Sequence, residues 1–540
     1  MKPLMPVTQT IAIAMSVCAA LFAVFPLTDT DIWWHLACAR EWVTTWTPVR
    51  EPVVNVHEIF QQAVAFVFNL GGAPLLVAFK AFLWGLVFAL FLWPSVRTRQ
   101  DNVIANSQQN VIANSVGVKQ SIKPLAFFAV ILFIFRYQFE IRPVLFSLLF
   151  LGVYWNVLPW LFVGAIDRSK TKVIASVLLI LSLQWIWCKS QGLYILGPIF
   201  AMIVLSTYLF EMWKLGKKIH AKVEASRIFL VVLLLLMPFL HRDGLNLFLY
   251  PFGLLDRLLG LSPSAAVFAS EIAENRSPFT LLMAGENVLQ SALMIVLCVT
   301  GIAWVFRKVI LERSLAIGSK ACSVEGYRTL WLLITAILAL IAERNFVLFL
   351  PVFFAVGVKC WPRSCPCKHG RNARPTHLFY SLLPTSNRLL STVYFLLPTL
   401  LIAFNLGLWL RSMSNYDSMV AYQRVPVAAA EWMKSNPHSG RLFNDDRAGG
   451  YLAFVNPSDS TYIDGRFILK TADFFEKYLR YAESPREFLH DAELQNMDRV
   501  VLPLRYYARW DKLLATLDSA ENWHVVYHDP FFVVMDRTER

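Results

Sequence analysis

Long apolar runs recur along this chain, broken by short stretches where charged residues, proline and glycine collect. A run of about 20 apolar residues crosses a hydrocarbon core of roughly 30 Å as a helix. The pattern predicts about 11 membrane spans, at 7–26, 72–93, 124–139, 143–163, 173–188, 193–213, 228–243, 286–306, 329–342, 346–358 and 388–410. The segment 245–260, LNLFLYPFGLLDRLLG, is different. Asp256 and Arg257 interrupt its apolar face, so it reads as an interfacial or re-entrant piece.

From about Tyr416 the pattern changes, with charge rising and the long apolar runs ending. Helices are expected at 425–435, with Pro426 in the first turn, at 471–482, at 484–495 with Ser484 as N-cap, and at 508–518. Strands are expected at 441–444, 460–464 and 499–504, and as two strands within 523–536 around an Asp529-Pro530 turn. Alternating strands and helices imply a small α/β domain. The expected division is therefore a multi-span body, 1–415, and an extramembrane α/β domain, 416–540.

Composition agrees with this pattern. Of 540 residues, 56% are hydrophobic and 16% charged, which sets the fold class as a polytopic α-helical membrane protein. The formal net charge of +13 does not point to nucleic acid, because the basic residues fall mainly in short loops between apolar runs. The loops 94–123, 164–172, 214–227, 307–328 and 359–387 hold the clusters, Lys214, Lys217, Lys218 and Lys222 among them. By the positive-inside rule these loops and the N-terminus are cytoplasmic, and 27–58 and everything after 411 lie outside. The apolar N-terminus, with no clean small-residue cleavage site before Asp29, reads as a retained first helix of an inner-membrane protein. NVIANSQQ at 102–109 is echoed by NVIANSVG at 110–117, a slipped duplication in a tolerant linker. In KCWPRSCPCKHGR the cysteines Cys360, Cys365 and Cys367 with His369 lack CxxC spacing, so the segment reads as an ordinary basic loop, with a zinc site as the alternative.

Ionisable residues gather where the spans meet the outer face. The first outer loop, 27–58, carries Asp29, Asp31, His35, Arg40, His57 and Glu58. Later turns add Arg136, Glu140 and Arg142; Lys189 and Gln191; His241, Arg242 and Asp243; Glu271, Glu274 and Arg276; and Glu343 and Arg344. Charges at membrane depth are costly, roughly 2.5–3.5 kcal/mol each at a helix centre, so the pattern implies a polar site at the outer boundary. In an extended segment Asp29 and Asp31 point to one face. Two such carboxylates need a cation, an arginine or a proton between them, and a hard divalent cation such as Mg²⁺ or Mn²⁺ suits carboxylate ligands. The structural alternative makes the pair a helix cap, with Trp33 and Trp34 as interface anchors and His35 a buried, hydrogen-bonded ring. Arg136, Arg142 and Arg344 suit an anionic head group, since guanidinium pairs bidentately with phosphate. For Arg136 in particular the alternative is interfacial snorkelling.

DTDIWWHLACAREWV, 29–43, resembles the D-x-D-x-W-W-H-L segment of bacterial membrane glycosyltransferases of the GT-C type. That group is related to the dolichyl-phosphate-mannose type and to RgtA/B/C/D-like enzymes. The likeness continues at 56–81, IRPVLFSLLF (141–150), ERNFVLFLPVFFA (343–355), GRLFNDDRAGGYLAF (440–454) and YIDGR (462–466). The chain departs at WCKSQG, where the group often reads W-x-N-x-H-G and Lys189 and Gln191 stand in place of Asn and His. The resemblance implies an inverting glycosyltransferase that takes a polyprenyl-phosphate-linked sugar from the membrane lipid and passes it to a glycan, lipid or protein acceptor. It implies Asp29 as catalytic carboxylate, with Asp31 assisting or binding the cation and His35 beside them. His57, Glu58, Arg136, Arg142, Lys189, Arg242, Glu274 and Arg344 are the expected substrate-binding residues. A transporter or flippase of lipid-linked substrates, and a non-catalytic scaffold with an outer binding domain, are the alternatives. The first usually shows repeated span patterns, of which this sequence has none.

Overall fold

The structure is a computed structural model. It describes residues 7–104, 125–163, 169–214, 216, 221–315, 326–360, 388–413, 419–505 and 508–538. The second copy of the internal repeat, and Cys365, Cys367 and His369, lie outside them.

A helix occupies each of the eleven predicted span positions. By length and composition, six helices among the described residues can cross a membrane, or seven if a bent pair counts as one span. The six are Glu58–Trp93, Val144–Phe162, Lys170–Cys188, Gly192–Lys214, Val223–Leu240 and Val288–Val309. Gln9–Phe22, Leu125–Ile134, Gly326–Ile341 and Leu396–Leu410 are shorter apolar helices. The expectation of about 11 spans therefore overstates the helices that cross on length alone. The chain is a multi-pass helical membrane protein. The helix Glu58–Ile104 starts well before the predicted 72, and breaks at Gly71 and Gly72. Gly72 sits at φ +63°, a left-handed conformation that glycine adopts without strain. The interfacial segment forms the helix Gly244–Leu259, which meets Pro263–Glu271 at a 65° bend. Asp256 fixes that bend by accepting from the Ser262 backbone N–H at 3.0 Å and its hydroxyl at 2.8 Å.

The C-terminal region is α/β. Its strands are β1 (Arg441–Asn444), β2 (Met497–Pro503), β3 (Trp523–His528) and β4 (Phe532–Arg537), in sheet order β1-β2-β4-β3. Only β1 and β2 run parallel. Asp529 makes the β3–β4 turn by accepting from the N–H groups of Phe531 (2.7 Å) and Phe532 (2.8 Å). The predicted strand at 460–464 is not a strand. Its backbone bonds to side chains and to the first outer loop: Tyr462 N–H donates to Asn444 Oδ1, the Ile463 carbonyl accepts from Asn444 Nδ2, and the Thr461 carbonyl accepts from the Trp46 N–H. The helix Asp446–Val455, absent from the sequence reading, follows β1 directly.

This region and the first outer loop share one core. The helices Asp31–Arg40 and Asp446–Val455 pack through Gly450, where a Cβ would lie 3.1 Å from the Trp34 backbone nitrogen. Trp33 is not a lipid anchor. It is buried edge-on against Tyr451, ring centroids 4.7 Å apart, and beside Phe454 at 5.4 Å. Such aromatic pairs add about 0.5–1.5 kcal/mol each beyond their buried area. Trp34 is buried too. Lys470 reaches across to the hydroxyls of Thr45 (2.7 Å) and Thr47 (2.6 Å). Arg257 holds the carbonyls of Phe467 (2.7 Å) and Lys470 (2.9 Å).

His438 ties the C-terminal sheet to its loops, bonding Asp498 at 2.6 Å and Asp459 at 3.1 Å. Burial works against its charge, but the two carboxylates prevail and raise its pKa to about 9. The folded chain thus binds this proton more tightly than the unfolded chain. The stabilisation is whole below about pH 6.5 and is lost as pH rises through about 9. Thermal unfolding of the full chain in detergent should fall over that window, and His438→Gln should flatten the fall. An unchanged slope in the variant would show that the carboxylates do not hold this proton.

Candidate active site

The start of the segment 27–58 is positioned by a buried ion pair. Lys80, alone in an apolar run, is fully buried; it donates to the Phe25 carbonyl at 3.0 Å and lies 3.8 Å from Glu140. Glu140 in turn accepts from the Thr28 hydroxyl. The next residue is Asp29. Its carboxylate takes two bonds from one guanidinium, Arg142 Nε to Oδ2 at 3.0 Å and Nη2 to Oδ1 at 3.1 Å. The third arm of Arg142 donates to Glu274 at 2.7 Å. Asp29 does not cap the following helix: the N-cap is Thr30, and the Asp31 backbone N–H reaches Asp29 only at 3.4 Å.

These groups line a cavity of about 590 Å³ between the helices and the C-terminal region. Asp29, Asp31, His35 and His57 come to it from the first loop, with Arg142, Glu274 and Arg344 from later turns. The C-terminal region adds Arg424, Asp446, Arg447, Arg466 and Arg509, none of them chosen from the sequence. Arginine outnumbers carboxylate on the walls, which suits an anionic ligand. Arg344 donates to Asn275 at 2.8 Å and Arg424 to the Thr28 carbonyl at 3.0 Å.

Charge states diverge within the cavity. Burial, then the adjacent Asp29, pushes the Asp31 carboxyl up to about 8. Among the described residues no cation stands within ion-pair distance of it, and the Trp34 indole N–H beside it falls short of full hydrogen-bond geometry. Burial also opposes the charge of Glu274, but Arg142 and then Arg344 and Arg424 pull it down to about 2. Burial holds His35 well below the usual imidazole range and takes His57 down to about 4, so both rings are neutral at pH 7. His35 sits against Trp34, Phe60 and His57, with its Nδ1 unpartnered.

Glu58, Lys189 and Arg242 are not in this cavity. They line a second one, with Trp42 and Asn55 common to both. Arg136 lines neither. It donates to the Phe133 carbonyl at 2.6 Å with its guanidinium over the Phe133 ring, the snorkelling arrangement. Asp464 and Arg466 pair with each other, and Asp445 caps the next helix and accepts from the Trp510 indole. Gln191, in the place of a His, caps the turn Gly192–Ile195 by accepting from the Leu193 N–H. The expected divalent cation finds no cage. Among the described residues no group of three His, Cys, Asp and Glu side chains is placed to hold a metal ion, and both oxygens of Asp29 are on Arg142.

No family model and no curated protein matches the chain by sequence. Solved structures do. The Archaeoglobus fulgidus oligosaccharyltransferase tethered to an acceptor peptide matches at 12% identity over 98% of this chain and 74% of its own, with a TM-score of 0.50. The chain shares that fold. An archaeal oligosaccharyltransferase AglB from the same organism, with an inhibitory peptide and a dolichol-phosphate, aligns over 92% of this chain and 69% of its own at 11% identity and TM-score 0.48. ArnT from Cupriavidus metallidurans bound to undecaprenyl phosphate aligns over 98% and 97% at 14% identity and TM-score 0.48.

Gly465 closes the wall against Asp31, and a Cβ there would stand 2.0 Å from Asp31 Oδ1. Gly465→Ala should therefore destabilise the full chain by roughly 1–3 kcal/mol. Adding Asp31→Ala should recover most of that loss in thermal unfolding. A neutral Gly465→Ala would show that the two segments are not in contact.

Proposed function

We propose that the chain is a glycosyltransferase that moves a sugar from a polyprenyl-phosphate donor to an acceptor at the outer face of the membrane. The observation that carries this reading is the meeting of the first-loop carboxylates with an arginine surplus in one cavity at the edge of the helical body. The shared fold with an oligosaccharyltransferase supports it. The reading includes an inner-membrane location, a cytoplasmic N-terminus, and an α/β domain outside from about residue 416.

An inverting transfer needs a base for the acceptor hydroxyl and cations for the departing polyprenyl phosphate. Attack by the acceptor oxygen forms the new glycosidic bond as the bond to phosphate breaks, and the hydroxyl proton passes to the base. Asp31 is the better proton acceptor, because Asp29 already lies under Arg142. Asp29 and Glu274 hold Arg142 in place, and Arg142, Arg344 and Arg424 face the phosphate. Guanidinium groups already fixed by protein acceptors stabilise developing charge without reorganising. A divalent cation, Mg²⁺ or Mn²⁺, would be held here by Asp31 together with the donor's own phosphate oxygens, and would add positive charge beside the departing phosphate. The neutral His35 and His57 pack the cavity floor beside Asp31.

Asp31→Asn should lower transfer by about 10²–10⁴-fold with the protein folded and undecaprenyl phosphate still bound. Asp29→Asn should instead weaken donor binding, because it frees Arg142 from its anchor. Since Asp31 must be ionised to act, kcat/KM should rise with pH to a midpoint near 8. Wild-type transfer by Asp31→Asn would sink this assignment. For orientation, a reporter fused after Arg540 should be active only outside the cytoplasm, and cytoplasmic activity would overturn the topology.

A further inference from the structure

Beside the central cavity lies a second one of about 610 Å³, a size suited to a small ligand. Its chemistry differs. Two indoles face it, Trp42 with 37% and Trp185 with 44% of its surface exposed. Each is backed by a planar partner. Trp185 stacks on His241, centroids 4.9 Å apart and 17° from parallel, and the Arg466 guanidinium lies 5.1 Å from the Trp42 ring. Braced aromatic faces take the C–H face of a sugar ring, because a rigid ring adds apolar contact at little entropic cost.

The polar wall is equally set. The Lys189 ammonium bridges Asp243 and Glu58, the latter at 3.5 Å, and also lies 3.4 Å from the Asn55 carbonyl. All three of its donors are directed to protein oxygens, so Lys189 is not a spare cation for a phosphate. It holds two carboxylates in place, and their remaining lone pairs point to hydroxyl donors as ligands. Lys189 and Arg242 balance Glu58 and Asp243, whereas the central cavity carries an excess of arginine. An anion belongs in the central cavity, and an uncharged polyol suits this one. Trp42 and Asn55 line both, so a ligand here abuts the reacting centre.

We propose that this second cavity is a carbohydrate subsite that holds an uncharged pyranose ring of the acceptor. The word acceptor rests on the transferase reading; the sugar chemistry does not. The test uses the full-length protein in detergent and saturation-transfer NMR with methyl α-D-glucopyranoside, methyl α-D-galactopyranoside and methyl N-acetyl-β-D-glucosaminide. At least one should bind. Its affinity should drop tenfold or more in Trp185→Ala and in Glu58→Gln, and should persist when undecaprenyl phosphate fills the central cavity. Three results would overturn the proposal: no glycoside signal in the wild type; a signal equal in both variants, which leaves Trp185 an interfacial anchor; or displacement by undecaprenyl-phosphate-linked glucose, which gives the subsite to the donor's sugar. If undecaprenyl phosphate itself fails to bind, the transferase reading falls and takes the acceptor assignment with it, while glycoside binding stands as a separate result.

Discussion

One guanidinium organises the cavity between the helices and the C-terminal region. Arg142 gives two bonds to Asp29 and one to Glu274, so three turns distant in sequence meet at one side chain. Each carboxylate alone would be costly at this depth. Shared between them, a single fixed charge makes both tolerable and leaves Asp31, among the described residues, with no cation at ion-pair distance. The cavity's character follows from that imbalance. One acid is neutralised by arginine, its neighbour is pushed toward protonation, and further arginines are left facing the space between.

The same economy of charge appears one layer down. Lys80 and Glu140 pair inside the helical body, and Glu140 also holds Thr28. The start of the outer loop is therefore fixed to the spans before it reaches the cavity. Removing either partner of such a pair leaves a buried charge alone, at a cost of about 3–5 kcal/mol. From above, Arg257 and Lys470 fasten the C-terminal region to the bent helix pair and to the first loop. The loop is gripped from both sides, which is how a segment without long secondary structure keeps two carboxylates at fixed positions.

Two neighbouring cavities then divide the chemistry by charge. Arginine excess marks one for an anion, and balanced charges with open indole faces mark the other for a neutral, hydroxyl-rich ring. Trp42, whose ring lies under Arg466, stands at the boundary and belongs to both.

The sequence by itself determined the helical membrane class, a helix at each of the eleven long apolar runs and the α/β character of the C-terminal region. Those follow from runs and periods that each segment carries locally. It also named Asp29, Asp31, His35, His57, Arg142, Glu274 and Arg344, because charge beside an apolar run is visible without a fold. Tertiary structure alone decided which of the named charges meet. Arg136 has the same composition around it as Arg142, yet folds back on its own turn, and Lys189 answers to Glu58 and Asp243 in a different cavity. The contributions of Arg424, Arg447, Arg466 and Arg509 were hidden because they sit in an ordinary polar stretch, where a charge needs no explanation. The 460–464 segment misled for the converse reason. Its alternation is that of a strand, but Asn444, the Trp46 backbone N–H and the Thr47 hydroxyl satisfied its hydrogen bonds first. Pairing is a property of what lies opposite, and no local pattern records it.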